Sequence, residues 1–425
     1  MTSGRVGGTS PAALAEPVDP VGRRFVGTLA LALFGIWMAF FTPIQLLLPQ
    51  QLEDIDAASK VTNLGWVTGA GAAVALLANP LAGALSDRTT SRFGRRHPWT
   101  AGGTVLAAGA LIVASRQSTV LGVLLGWCVA QACLNVAFAT LTAAVPDHVP
   151  VRQRGAVSAW VGLPTVLGVV VGVGLVTALT DSTTAGYAIV AVAMLAVVAP
   201  FVLTSVDHPL PAADRPQWSW PEFARGFWVS PRRHPDFGWA WLTRFLVSLG
   251  NALGTLYLLY FLRDSVHYER RFPGHKAEDG VLTLLLVYAA ALLLTIIAGG
   301  IASDRAGRRK PYVIGASIVM AAGAGLLAIW PTWPVAIVAA AVLGAGYGVY
   351  LAVDAALITQ VLPAARDRGK DLGVINIANS APQVLGPALA APIVAHAGGY
   401  PVLFLAAGLV TLLGAVLVLP IRSVR

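Results

Sequence analysis

Long apolar blocks alternate with short polar ones from residue 25 to residue 420. A helix needs about 20 mainly apolar residues to cross a bilayer. Twelve segments qualify: 25–49, 61–85, 99–115, 119–145, 155–179, 185–205, 237–262, 280–301, 312–330, 333–362, 372–395 and 400–420. Several carry Gly or Pro inside, as in "LLANPLAGAL" and "SAPQVLGPAL". Membrane bundles tolerate these because small residues let helices approach and neighbours satisfy the freed backbone groups. The pattern predicts an all-α membrane protein of twelve transmembrane helices.

The longest polar connection, 206–236, splits the spans six and six. The expected units are therefore a disordered tail over 1–22, a first bundle over 23–205, a linker over 206–236 and a second bundle over 237–425. In the linker Trp220, Phe223 and Phe227 fall at i, i+3 and i+7. That spacing fits a short helix lying on the membrane surface, and equally a plain linker with interfacial aromatics. No short apolar leader with a cleavage site precedes the first span, so that span is expected to stay in the membrane.

Composition agrees with a surface that faces hydrocarbon: 56% of residues are hydrophobic and 12% charged, against about 25% charged in soluble domains. A net charge of +9 would suggest nucleic acid in a soluble chain. Here it follows the connections. With the N-terminus inside, 22 Lys and Arg fall in inner segments and six in outer ones, namely Lys60, Arg116, Arg263, Arg270, Arg271 and Lys276, while Arg244 falls within a span. This asymmetry predicts both termini in the cytoplasm and no nucleic-acid partner. Arg outnumbers Lys 25 to 4, a composition expected of a GC-rich bacterial genome and hence of a bacterial inner membrane. Cys128 and Cys133 share one apolar span, where neither a disulfide nor a metal site is expected.

The two halves echo each other. "GALSDRTTSRFGRRHPW" at 83–99 returns in shorter form as "GGIASDRAGRRKPY" at 299–312. "GAVSAWVGLPTVLG" at 155–168 aligns without gaps with "GVINIANSAPQVLG" at 373–386, and spans 4 and 10 both close in Pro, at Pro146 and Pro363. Three echoes in one order imply a duplicated six-helix unit, a plan that places a binding site between the halves near the midplane. In the charged loop, Gly83 and Gly94 would permit close approach. Its Asp could sit at the positive end of a neighbouring helix, and its arginines could bridge acids of the other half or lipid phosphates. A basic turn that only fixes topology is the plainer reading.

"GALSDRTTSRFGRRHP" resembles the loop signature of the major facilitator superfamily, G-x-x-x-D-R-x-x-x-x-x-G-R-R. Its "SDRTTSRFGRRHP" form is most similar to the sucrose-transporter and glycoside–pentoside–hexuronide cation symporter branches. The resemblance implies a conformational gate. Asp87 would cap the start of span 11 near Gly373, joined by Arg88, Arg95 and Arg96. Asp304, Arg305, Arg308 and Arg309 would mirror this against span 5 near Gly155. It also implies that spans 1, 4, 7 and 10 surround the central cavity.

Few ionisable residues remain inside the membrane. Arg244 lies seven residues into span 7 and Asp354 eight before the end of span 10, so each is roughly 10–12 Å deep at about 1.5 Å per residue. Each alone costs about 2.5–3.5 kcal/mol at the bilayer centre, and pairing is the expected solution. Asp354 could then take a proton and release Arg244, or the pair could be structural. Substrate-binding candidates are the amides Gln131, Asn135, Asn251, Asn376, Asn379, Gln383 and Gln45, which suit hydroxyl-rich ligands. The aromatics Trp37, Phe41, Tyr257, Tyr260, Tyr347 and Tyr350 could face a sugar ring. Helix-bridging amides and interfacial aromatics are the plainer alternatives. Spans 1, 2 and 4 hold no Asp or Glu, so the sodium site of the melibiose-type branch is expected to be absent.

The leading expectation is a monomeric secondary transporter, a proton-coupled symporter of a sugar or glycoside. A proton-driven exporter of drugs or secondary metabolites is the alternative, and a non-transporting membrane sensor a third. No G-x-x-x-x-G-K-[ST] loop appears, so ATP is not expected to drive it; no cofactor and no catalytic constellation is expected. Substrate, protons and lipids are the expected partners.

Overall fold

Every apolar block folds as a helix, because hydrocarbon offers the backbone no water and each N–H and C=O must be satisfied within its own segment. The structure, a computed structural model, describes residues 17–215, 217–221, 232–361 and 368–422. Its long helices are α1 Arg23–Ile55, α2 Lys60–Ser86, α3 His97–Ser115, α4 Val120–His148, α5 Val151–Leu179, α6 Thr183–Thr204, α7 Pro235–Asp264, α8 Ala277–Ala306, α9 Lys310–Ile329, α10 Trp333–Val361, α11 Arg368–His396 and α12 Gly399–Leu417. Among the described residues there are no strands, and ten of these helices are long and apolar enough to cross a membrane; α5 and α11 complete the twelve. Several helices run past their apolar blocks. The extension of α4 to His148 puts Asp147 in its last turn.

Two helices are broken, at matching places. After 20 α-helical residues α1 passes through a π turn, Pro43–Leu47, before Leu48–Ile55. Pro43 causes this, since it has no N–H and its ring collides with the carbonyl four residues back. After 21 residues α7 breaks at Leu256 and Tyr257, and restarts as Leu258–Asp264. Gly254 stands just ahead of that break, and glycine lowers the cost of distorting a helix.

In the first set, α1 packs on α5 and α6, α2 on α4, and α3 on α4 and α6. In the second, α8 and α9 pack on α10, α9 on α12, and α7 on α11 and α12. The sets meet along two seams, α2 with α11 and α5 with α8. Twelve crossings leave both chain ends on one face, here the termini face; the opposite one is the far face. The predicted tail up to residue 16 and most of the predicted interfacial helix, residues 222–231, lie outside the described residues.

Small residues set the helix spacing. A Cβ at Gly344 of α10 would overlap the Tyr288 carbonyl of α8, whereas one at Gly325 of α9 would meet nothing. Gly344→Ala should therefore destabilise the fold by about 1–3 kcal/mol, read as a lower unfolding temperature in detergent. Gly325→Ala should leave that temperature unchanged or slightly raised, because Ala is the better helix former.

Candidate functional site

Charges gather at the far face, on the short outer pieces of the broken helices. Lys60 Nζ of α2 contacts Glu53 Oε1 of α1 at 2.9 Å and Asp264 Oδ1 of α7 at 2.8 Å. Arg263 of α7 donates to Glu53 Oε2 and, at 2.5 Å, to Glu278 Oε1 of α8. Gln50 Nε2 donates to the same Glu278 oxygen at 2.5 Å. The Tyr400 hydroxyl donates to Asp264 Oδ2 at 2.8 Å. Lys276 and Asp181 add a link at 2.5 Å, and that hydrogen bond raises the Lys276 pKa. Six links between the two sets lie at this end. The sequence reading missed this latch. It took Lys60 and Arg263 as topology markers and did not ask which acids would neutralise them.

The termini face carries a second clasp, built within the first set. Asp87 Oδ1 accepts from Arg96 Nη2 at 2.5 Å and lies 3.9 Å from Arg95 Nη1. Asp147 holds both arginines, at 2.9 Å to Arg95 Nη2 and 2.9 Å to Arg96 Nε. Arg96 also donates to the Ser86 hydroxyl at 2.5 Å. Burial alone would lower the Arg96 pKa, but the carboxylates of Asp87 and Asp147 outweigh it and raise the value. Asp207, at the start of the linker, accepts from the backbone N–H groups of Arg96 at 2.6 Å and His97 at 2.7 Å, and so satisfies the start of α3.

Asp87 is expected to cap α11 near Gly373; in this structure it bonds Arg95 and Arg96 of its own set, and the side chains around Gly373 lie outside the described residues. Gly94 does need to be glycine: its φ is +96° and a Cβ would strike the Asp207 carboxylate. Gly83 has open space around its missing Cβ, so close approach does not explain it in this state. In the second copy, Arg305 and Arg308 are exposed and Arg309 stands at the N-cap position of α9 without a side-chain bond to it. The Asp304 side chain, and those around Gly155, lie outside the described residues. Asp147 and Asp207 were not singled out from sequence. Two neighbouring arginines with only Asp87 nearby were the signal that more acid was required.

Inside the membrane Arg244 Nε of α7 stands 3.1 Å from Asp354 Oδ2 of α10. The N–H does not point along that line, and Oδ2 accepts no hydrogen bond from any described residue. Tyr350, stacked on Tyr347 at 6.0 Å, lies one turn away, and its buried hydroxyl interacts with the Asp354 carboxylate.

The substrate candidates separate into groups. Asn135 donates to the Gln131 carbonyl at 2.9 Å and to its Oε1 at 3.2 Å, and accepts from Asn79 at 3.4 Å, giving an amide cluster between α2 and α4. Asn251 accepts from the Tyr288 hydroxyl at 3.1 Å. It borders a narrow crevice inside the second set, beside Met320 and Thr411. Trp37 stacks on Phe41 at 5.5 Å and meets Phe138 edge-on at 4.9 Å. Gln45 sits in the π turn with Oε1 buried and unpartnered among the described residues. Tyr257 and Tyr260 belong to the latch instead: their hydroxyls donate to the Val61 and Pro49 carbonyls of the first set at 3.2 and 2.8 Å. Gln383 is exposed on α11, and the side chains of Asn376 and Asn379 lie outside the described residues.

The sequence profile of the Major Facilitator Superfamily matches residues 25–299 and 275–425. The chain belongs to the Major Facilitator Superfamily. No curated protein matches its sequence. Among solved structures, this superfamily member is similar to the nucleoside transporter NupG, with 13% identity, 92% of this chain and 97% of that chain covered, and a TM-score of 0.72. A POT family transporter in complex with a thioalcohol-conjugated peptide gives 13%, 93%, 95% and 0.73. The human organic anion transporter MFSD10 gives 19%, 94%, 100% and 0.65. At these identities the likeness is one of fold. The family and the fold together make this chain a multi-pass membrane transporter.

Glu53 touches both Lys60 and Arg263, so Glu53→Gln removes the centre of the latch. Lys60 keeps Asp264 and Arg263 keeps Glu278, but the charged Arg263–Glu53 bond across the joint is lost, at a cost of about 1.5–3 kcal/mol, and the far face should open in a larger share of molecules. Spin labels at Ala58 and Arg270 should report a longer mean distance in the variant; an unchanged distribution would show that the latch does not hold this face shut.

Proposed function

We propose that this transporter works by alternating access as a proton-coupled symporter of a sugar or glycoside. Its termini face is cytoplasmic, following the 22 to 6 split of Lys and Arg. The far-face latch and the termini-face clasp fasten in alternation. In the other state, Asp87 leaves Arg96 for α11. The observation that carries the proton reading is the Arg244–Asp354 contact. A buried carboxylate held by one cation whose N–H is not aligned with it is poised to exchange that cation for a proton. Protonation would neutralise Asp354, free Arg244 and weaken the tie between α7 and α10. The sugar reading rests on the loop signature and on the amide cluster of Gln131 and Asn135, whose donors and acceptors match hydroxyl groups.

One observation favours a second reading. The first-set side chains Trp37, Phe40, Phe41 and Phe138 form an aromatic cluster, and spans 1, 2 and 4 carry no acid. Such a wall suits an exporter of amphipathic compounds. Labelled-sugar uptake into vesicles with an imposed pH gradient separates the two, since an exporter would show none.

Asp354→Asn should abolish gradient-driven accumulation while leaving sugar exchange; accumulation at the wild-type level would remove Asp354 as coupler. Exchanging the charges, Arg244→Asp with Asp354→Arg, should recover expression and thermal stability beyond either single variant. Asp87→Asn should cut turnover with little change in expression.

A further inference from the structure

The loop between α2 and α3 holds more cations than its clasp consumes. Arg95 and Arg96 are taken by Asp87 and Asp147. Arg88 and Arg92 contact no carboxylate among the described residues. Instead each guanidinium lies over an aromatic face: Arg88 over Trp218 of the linker at 5.3 Å and Arg92 over its neighbour Phe93 at 4.7 Å. Trp218 meets Trp220 edge-on at 4.8 Å. Phe93 and Trp220 are each 64% exposed, and Leu85 at the end of α2 is exposed as well. The loop is held in shape, since Trp99 Nε1 donates to the Thr89 hydroxyl at 2.7 Å and Asp207 bonds the Arg96 and His97 amides.

This patch has two chemistries at one level. Phe93 and Leu85 stand exposed at the end of a membrane helix, where acyl chains begin. Its two surplus guanidiniums sit beside them, where phosphates lie. A face-on aromatic leaves a guanidinium's edge N–H groups free, and those match phosphate oxygens in a bidentate fork. A soluble anion would use the cations and leave Phe93 and Trp220 in water. A zwitterionic lipid would bring its own cation against the arginines. We infer that Arg88, Arg92, Phe93, Trp218 and Trp220 form a binding site for an anionic phospholipid of the leaflet that covers the termini face. That leaflet is the cytoplasmic one on the proposed orientation, and the linker between the halves forms one wall of the site.

The test uses the full chain in nanodiscs with photoactivatable phosphatidylglycerol or phosphatidylcholine of identical acyl chains. Both leaflets carry the probe, so the result depends neither on sidedness nor on transport. Each basic residue near an anionic surface is worth about fivefold in lipid preference, roughly 25-fold for two. Phosphatidylglycerol should label peptides 85–99 and 217–221 by about that margin over phosphatidylcholine. Arg88→Gln with Arg92→Gln should bring the ratio near one, and excess inorganic phosphate should not compete. Equal labelling of the wild type by both probes, a ratio unchanged in the double variant, or competition by free phosphate would each overturn the site. The wild-type comparison decides the matter even if the double variant does not fold.

Discussion

Glu53 binds a lysine from its own half and an arginine from the other, and most of the far-face arrangement turns on that one carboxylate. Lys60 reaches across to Asp264 as well as to Glu53, and Arg263 bonds Glu278 of its own half as well as Glu53. The groups are partly buried, so water screens them weakly. In such a cluster a charge left without any partner costs more than a pair contributes.

The breaks in α1 and α7 make the latch geometrically possible. Straight helices would carry Glu53 and Arg263 along the helix axes. The π turn at Pro43–Leu47 and the interruption at Leu256 and Tyr257 let the outer pieces lean across the joint. Glu53, Arg263 and Asp264 sit on those short pieces, as does Tyr260, while Tyr257 stands at the break itself; both tyrosines bond carbonyls of the opposite half. Duplication explains why the breaks match: each half supplies one bent helix at the same depth.

At the termini face the chemistry is similar and the connectivity differs. Asp147 and Asp87 tie Arg95 and Arg96 within one half, and Asp207 fastens the linker to the same loop. A clasp satisfied internally while the other face is latched is what a carrier needs if one carboxylate is to change partners between states.

Hydropathy determined the number, length and order of the helices, and the repeated loops determined the two-fold plan, because both depend on the local cost of placing backbone and side chains in hydrocarbon. Sequence also found the Arg244–Asp354 pair, since two buried opposite charges at one depth have few other ways to be neutralised. It did not find Glu53, Glu278, Asp147 or Asp207. These acids lie at helix ends, where water can satisfy a charge, so their presence in the sequence demands no partner. Nor could it show that Tyr257 and Tyr260 would bond across the joint, or that Gly83 would stand in open space while Gly94 would be pressed against a carboxylate. Those outcomes depend on how two rigid bundles tilt against each other. Contacts between residues some 200 positions apart are fixed by that tilt, and only the tertiary structure decides it.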